Sequence, residues 1–268
     1  GGFHPQARSG EVCRPQAATP GLAGPTACGH GGGMSSPLVV TGASGGLGSS
    51  TLAAALAGAW SKRAPLLVDL DLTGGGIDVT CGIDHVEGLR WPDLNAVRGV
   101  VDPDLLVRSL PASRGCAVLS AGASRVEPAL GPPPREAIDD VLETVARAST
   151  PLIVDLPRWQ YWPPDLDLHT WILLTGTRTR ELADLDALLH QIDGRRLSGR
   201  QAVVVTTGPE PDRALIEAIE DHVGLTHIGH VPRQPALVHA MERGRWPGSR
   251  PIAGLLDNLQ RRGRPSAA

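Results

Sequence analysis

The stretch from Leu38 to Leu52 constrains the fold of this chain more than any other. An apolar, β-branched run, Leu38-Val39-Val40-Thr41, meets the loop Gly42-Ala43-Ser44-Gly45-Gly46-Leu47-Gly48. Ser49 and Ser50 then lead into Leu52-Ala53-Ala54-Ala55-Leu56-Ala57, a run of strong helix propensity. Strand, glycine loop and helix N-terminus together make an anion cradle. Glycines let backbone N–H groups approach a ligand closely, and the helix dipole adds about half a positive charge. The ligand this predicts is a phosphate group, that of a nucleotide.

The 268 residues suffice for one large α/β domain plus an appendage. A net charge of −3 gives no general attraction to nucleic acid. Arginine almost wholly replaces lysine, since Lys62 is the single lysine in the sequence. Any mechanism that needs a lysine elsewhere is thereby excluded. Cys13, Cys28, Cys81 and Cys116 form no C-x-x-C pair, which points away from a zinc site or a disulfide framework. Neither a secretory leader nor an 18-residue apolar run is seen, so a cytoplasmic protein is expected.

Residues 1–36 are rich in Gly, Pro and Ala without helical or strand period, and are expected to be a disordered tail. Met34 stands just before the first strand, so this tail reads as an upstream extension or a linker remnant. From residue 37 to 264 strands and helices alternate in one nucleotide-binding domain. Strands are predicted at Leu38–Thr41, 65–70, 115–120, 152–155, 171–174, 202–205 and 226–231. Helices are predicted over 49–62, 135–148, 181–192, 213–223 and 252–261. Near-continuous apolar strands between helices indicate a doubly wound, mainly parallel sheet with helices on both faces.

Ligands collect beyond the carboxyl ends of such strands. There lie Gly42–Ser50 after the first strand, Asp69 and Asp71 after the second, and Asp155 after the fourth. A phosphate loop with acidic residues on neighbouring strands suits a nucleotide with Mg²⁺. Thr41-Gly42-Ala43-Ser44-Gly45-Gly46-Leu47-Gly48 fits the T-G-x-x-x-G-x-G pattern of short-chain dehydrogenases, in which Asp69 would contact a ribose hydroxyl. That family needs a catalytic Tyr-x-x-x-Lys. Here Tyr161 is the only tyrosine and is followed four residues later by Asp165, which weakens the NAD(P) alternative.

Ser44-Gly45-Gly46-Leu47-Gly48-Ser49-Ser50-Thr51 resembles the deviant Walker A loop of the MinD/ParA family, K-G-G-x-G-K-[ST]-T. Val68-Asp69-Leu70-Asp71 followed by Gly76-Ile77-Asp78 is similar to that family's second strand and first switch. Ile153-Val154-Asp155-Leu156-Pro157 is similar to its Walker B strand, and Gly229-His230-Val231-Pro232 with Ala236 and Ala240–Gly244 to its late strand and helix. Leu67–Asp78 and Gly88-Leu89-Arg90-Trp91-Pro92-Asp93-Leu94 resemble most the actinobacterial CpaE-like branch, which includes the septum-site-determining protein Ssd. The resemblance implies a MinD-like P-loop NTPase fold, ATP and Mg²⁺ as cofactors, and a homodimer. It also implies a role in placing the division septum or a pilus or secretion apparatus, with recruitment to the inner membrane face, pole or septum.

The resemblance further implies residue roles. Ser44, Gly45, Gly46, Leu47, Gly48, Ser49, Ser50, Thr51 and Pro232 would contact the nucleotide. Ser50 would ligate Mg²⁺, with Asp69 and Asp155 supporting it through water, and Asp71 would position the attacking water. The two family lysines fall on Ser44 and Ser49. Each lost charge-assisted contact removes about 1.5–3 kcal/mol, roughly 10- to 150-fold in affinity. The backbone cradle survives that loss. Weak ATP binding with little or no hydrolysis is expected, and an active MinD/ParA-type ATPase switch is the alternative. Arg158 is a candidate to replace some of the lost charge. Val205-Thr206-Thr207-Gly208 lacks the asparagine that often recognises adenine in the family, so adenine preference rests on the resemblance.

Trp159, Tyr161 and Trp162 would either bind a partner or pack beneath their loop. His227 and His230, three apart on a strand, are expected on opposite faces, which argues against a shared metal. Ile252, Leu255, Leu256 and Leu259, followed by Arg261, Arg262 and Arg264, read as a last helix packed on the sheet in preference to a membrane-targeting helix.

Overall fold

The computed structural model describes residues 37–122, 132–158, 170–197 and 202–262. The expectations for residues 1–36, for Trp159, Tyr161 and Trp162, and for Arg264 lie outside them.

β1 (Leu38–Gly42) is the hinge of the architecture, with α1 (Ser49–Ala59) following its loop. The chain continues through β2 (Leu66–Asp69), α2 (Ile77–Cys81), α3 (Pro103–Ser109), β3 (Ala112–Ser113), β4 (Cys116–Leu119), α4 (Arg135–Ala146) and β5 (Leu152–Asp155). It then crosses to the other side of β1 and runs through β6 (Thr170–Gly176), α5 (Thr179–Leu197), β7 (Ala202–Gly208), α6 (Arg213–Val223), β8 (Thr226–Pro232), α7 (Pro235–Met241) and α8 (Ala253–Arg262). The sheet order is β3-β4-β2-β5-β1-β6-β7-β8, and every pairing is parallel except β3 with β4.

Successive strand residues point to opposite faces. Leu38, Val39, Val40 and Thr41 are all fully buried, as are Leu66, Leu67 and Val68, so both faces of the central sheet are covered. This is the doubly wound arrangement expected from the sequence, and all seven predicted strands are present. The eighth, β3, is two residues long and forms a hairpin with β4 through Arg114 and Gly115, both at positive φ. The predicted 49–62 helix ends at Ala59, and Ser61–Arg63 continue as a 3-10 turn. α8 packs on β8 with Leu255 and Leu259 buried, which accounts for its apolar stripe. No helix among the described residues is long and apolar enough to cross a membrane.

The histidine expectation is overturned. Val204 pairs with His227 while Val205 pairs with Gly229, so β8 carries a bulge at Ile228. The extra residue restores the two-residue alternation between the histidines. His227 Nε2 and His230 Nδ1 therefore lie on one side, 3.0 and 3.1 Å from the hydroxyl of Thr206.

Candidate functional site

The loop after β1 is tied to the neighbouring strand where Ala43 N donates to Leu174 O at 2.8 Å. Gly48 caps α1 from the left-handed region, φ 92°, a conformation that an L side chain rarely adopts. No side chain caps the helix, so its first-turn amides are not satisfied in that way. Those amides lie at the carboxyl edge of the sheet, beside β5 and β2. Asp69 and Asp155 are register partners there, and Asp155 also pairs with Val40.

Two cavities meet at Gly46. The smaller, about 270 Å³, is the more polar of the two and is lined by Ser44, Gly45, Gly46, Ser49, Ser50, Asp71, Asp155 and Arg158 among others. The larger, about 610 Å³, is mainly apolar and takes in Gly46, Leu47, Gly48, Thr51, Leu174, Pro232 and Ile252. Every residue assigned to the nucleotide from the sequence thus lines one cavity or the other, as do Asp71 and Asp155. Asp69 lines neither.

Burial controls the acid chemistry at the strand ends. Asp155, 4% exposed, has its carboxyl pushed up to about 6 by burial, with Asp71 adding to the rise and a hydrogen bond from Ser50 opposing it. Asp69 is pushed up to about 8 by burial and then by the Asp155 charge. Its oxygens accept from the backbone amides of Asp71 at 2.9 Å and Ile77 at 2.8 Å. Asp69 therefore holds both ends of the 71–77 turn, from which Asp71 reaches into the polar cavity.

The Gly88–Leu94 run fastens the same turn from outside. The Trp91 indole N–H donates to Asp69 O at 2.6 Å, and Trp91 N donates to Ser120 O at 3.0 Å. Arg90, 1% exposed, places Nε 3.0 Å from the Asp78 carboxylate and donates to the carbonyls of Ile83, Val86 and Gly88. Ser120 Oγ also donates to Asp78 Oδ1, at 2.9 Å, as does Val79 N, at 3.1 Å. Gly76, at φ 83°, passes so close that an added Cβ would meet Asp78 Oδ1 and Ser120 Oγ. The arginine of this run is thus a buried structural cation, well behind the cavity.

The apolar cavity is walled by the segment after β8. Trp246 Nε1 donates to Ala54 O at 2.7 Å and lies against Gly58, which fixes that segment to α1. Thr51 Oγ1 is 3.9 Å from Met241 Sδ at the end of α7.

Sequence reasoning missed Asp184, on α5, because an acid on an amphipathic helix carries no local signal. Ser44 Oγ donates to Asp184 Oδ2 at 2.5 Å, and Arg158 Nη1 lies 3.5 Å from Oδ1 of the same carboxylate. The Ser44 hydrogen bond, then Arg158, hold this carboxyl below the usual range.

Mg²⁺ prefers one or two carboxylates together with substrate phosphates. The Ser50 hydroxyl and the Asp155 carboxylate, hydrogen-bonded to each other beside Asp71, fit such an ion arriving with a nucleotide. Among the described residues no group of three or more His, Cys, Asp and Glu could hold a metal by itself.

No family model matches the chain. Two uncharacterized proteins of Mycobacterium tuberculosis, from strains CDC 1551 / Oshkosh and H37Rv, are each 30% identical over 220 residues, covering 77% of this chain and 57% of the relative. The chain thus spans just over half the length of the curated relatives it matches. The MinC:MinD cell division complex of Aquifex aeolicus superposes with a TM-score of 0.64 at 17% identity, over 87% of this chain and 98% of that one. A ParA family ATPase of Chlorobium tepidum gives 0.63 at 18% identity, over 85% and 97%. A plasmid partition protein of Borrelia burgdorferi bound to AMPPNP gives 0.58 at 14% identity, over 84% and 99%. The fold is that of the MinD/ParA ATPases.

Proposed function

We propose that this chain is a MinD/ParA-family protein of the CpaE-like, septum-site-determining branch that holds Mg·ATP weakly and scarcely hydrolyses it. The observation that carries this reading is the pairing of the two cavities at Gly46. One offers backbone amides, Ser44, Ser49 and Ser50 to phosphates, and the other offers an apolar chamber, with Pro232, large enough for a base and sugar. Ser50, with Asp155 beside it, would hold the metal that accompanies the phosphates, while Asp69, which lines neither cavity, would act only through the 71–77 turn that it fastens. The AMPPNP held by the Borrelia partition protein and the partner MinC of the Aquifex MinD support nucleotide and partner binding on this fold.

Serines at 44 and 49 supply hydroxyl groups where the family's loop supplies ammonium groups. The chain's own residues therefore bind and orient more than they stabilise developing charge. Asp71 has the placement to orient a water, which makes the active ATPase switch the second reading. A protein of this kind acts by changing partners with nucleotide state, as a homodimer formed across the loop face, in placing a division septum or a pilus or secretion apparatus from the cytoplasmic side.

Calorimetric titration of the full chain tests the ligand class. Mg·ATP is expected to bind with a dissociation constant in the range of tens of micromolar to millimolar, the consequence of two missing charge-assisted contacts. NADH is expected to give no heat. Binding of NADH in place of Mg·ATP overturns the reading.

A further inference from the structure

The polar cavity poses an electrostatic difficulty. Asp71 and Asp155 bring acid to its wall, and among the described residues that line it Arg158 is the only cation. Arg158 is 12% exposed, so its guanidinium is largely withdrawn from water, and an anion reaching it gains more than it would at an open surface. Asp184 meets it with one Nη1–Oδ1 approach of 3.5 Å and with its backbone carbonyl, which accepts from Nη2 at 3.3 Å. Arginine prefers two shorter parallel contacts to carboxylate or phosphate. Ser44, on the opposite side, donates to Asp184 at 2.5 Å, so the phosphate loop and the arginine share one carboxylate.

We infer that Arg158 is the phosphate-recognising cation of this site and that Asp184 is its resting counter-ion, exchanged for the polyphosphate of an entering nucleotide. The inference rests on the nucleotide reading above and deepens it. A cation displaced from the loop to the strand end reaches the phosphates from the β5 side. Asp184 offers that cation a carboxylate for which an entering anion must compete. Because Ser44 loses an acceptor when Asp184 is released or redirected, arrival of the anion at Arg158 also frees the loop hydroxyl. Arg158 is thus a binding residue, and Asp184 is a positioning residue that competes with the ligand.

The test is titration of Mg·ATP and of inorganic pyrophosphate with Mg²⁺ into the full chain, as wild type, Arg158→Ala, Arg158→Lys and Asp184→Asn. Unliganded thermal unfolding reports that each variant folds. Arg158→Ala is expected to weaken both ligands about 10- to 100-fold, and Arg158→Lys to recover part of the loss. Asp184→Asn keeps an acceptor for Ser44 but removes the competing charge, and is expected to tighten binding several-fold. The wild-type salt dependence is expected to flatten in Arg158→Ala. Wild-type binding with an Arg158→Ala constant within twofold of it, or an Asp184→Asn variant that binds no tighter, overturns the inference and leaves the nucleotide reading standing. Pyrophosphate binding that depends on Arg158, without ATP binding, overturns the nucleotide reading and with it the exchange of Asp184 for a nucleotide's polyphosphate. Failure of the wild type to bind either ligand overturns both.

Discussion

Asp155 shows how a single residue couples site and stability. Its folded carboxyl is pushed up to about 6 from the ordinary 3.8, because burial disfavours the charge. The folded chain therefore holds this proton more tightly than the unfolded chain does. The cost of burying the charge is absent below about pH 4 and grows as pH rises through about 6, so this group makes the protein less stable with rising pH. Asp155→Asn, which cannot ionise and can still accept from Ser50, is expected to melt at a higher temperature than the wild type at pH 8, without nucleotide or Mg²⁺. The difference should close as pH falls towards 4. A melting difference that does not vary with pH contradicts this account of the strand end. The same burial makes the carboxylate ready for a cation, which would offset the charge that water no longer solvates.

At the scale of elements, the 71–94 segment is fastened to the strand ends by side chains far apart in sequence. Arg90 bonds Asp78 and three carbonyls, and Trp91 bonds Asp69 O. Arg90→Met leaves the Asp78 charge buried, and should lower the unfolding free energy by about 3–5 kcal/mol, measured by urea denaturation. Adding Asp78→Asn to that variant should return part of the loss. A loss below about 1 kcal/mol for Arg90→Met contradicts the clamp. The elements differ in how legible they are in the sequence. Buried strands were readable because their apolar runs are nearly unbroken, and α4 and α6 because their apolar faces repeat at helical spacing. α2 has five residues, too few to show a period, and β3 has two. α3 was readable in principle: Asp102 caps it, accepting from Leu105 N at 2.8 Å, with Pro103 at its first position. The bulge in β8 leaves no mark in the residue pattern, so spacing alone places the two histidines on opposite faces. In the site, the loop and its acids follow from local motifs. The Ser44–Asp184–Arg158 network does not, since it joins residues 140 apart in sequence through the fold alone.

The whole molecule places the phosphate loop at the switch point of its sheet, where β1 lies between β5 on one side and β6 on the other. Two cavities share Gly46 of that loop, the more polar one with the acids Asp71 and Asp155 in its wall and the apolar one with Leu237 and Val238 of α7 in its wall. On the proposed reading, such a site would register a nucleotide through the loop, the 71–94 segment and α7 together, without requiring rapid chemistry. The most direct measurement is steady-state phosphate release by the purified full chain with saturating Mg·ATP, beside the Asp71→Ala variant. The account predicts release at the buffer background, unchanged by the substitution. Robust turnover that Asp71→Ala abolishes contradicts it, and would make this chain an ATPase switch in spite of its loop serines.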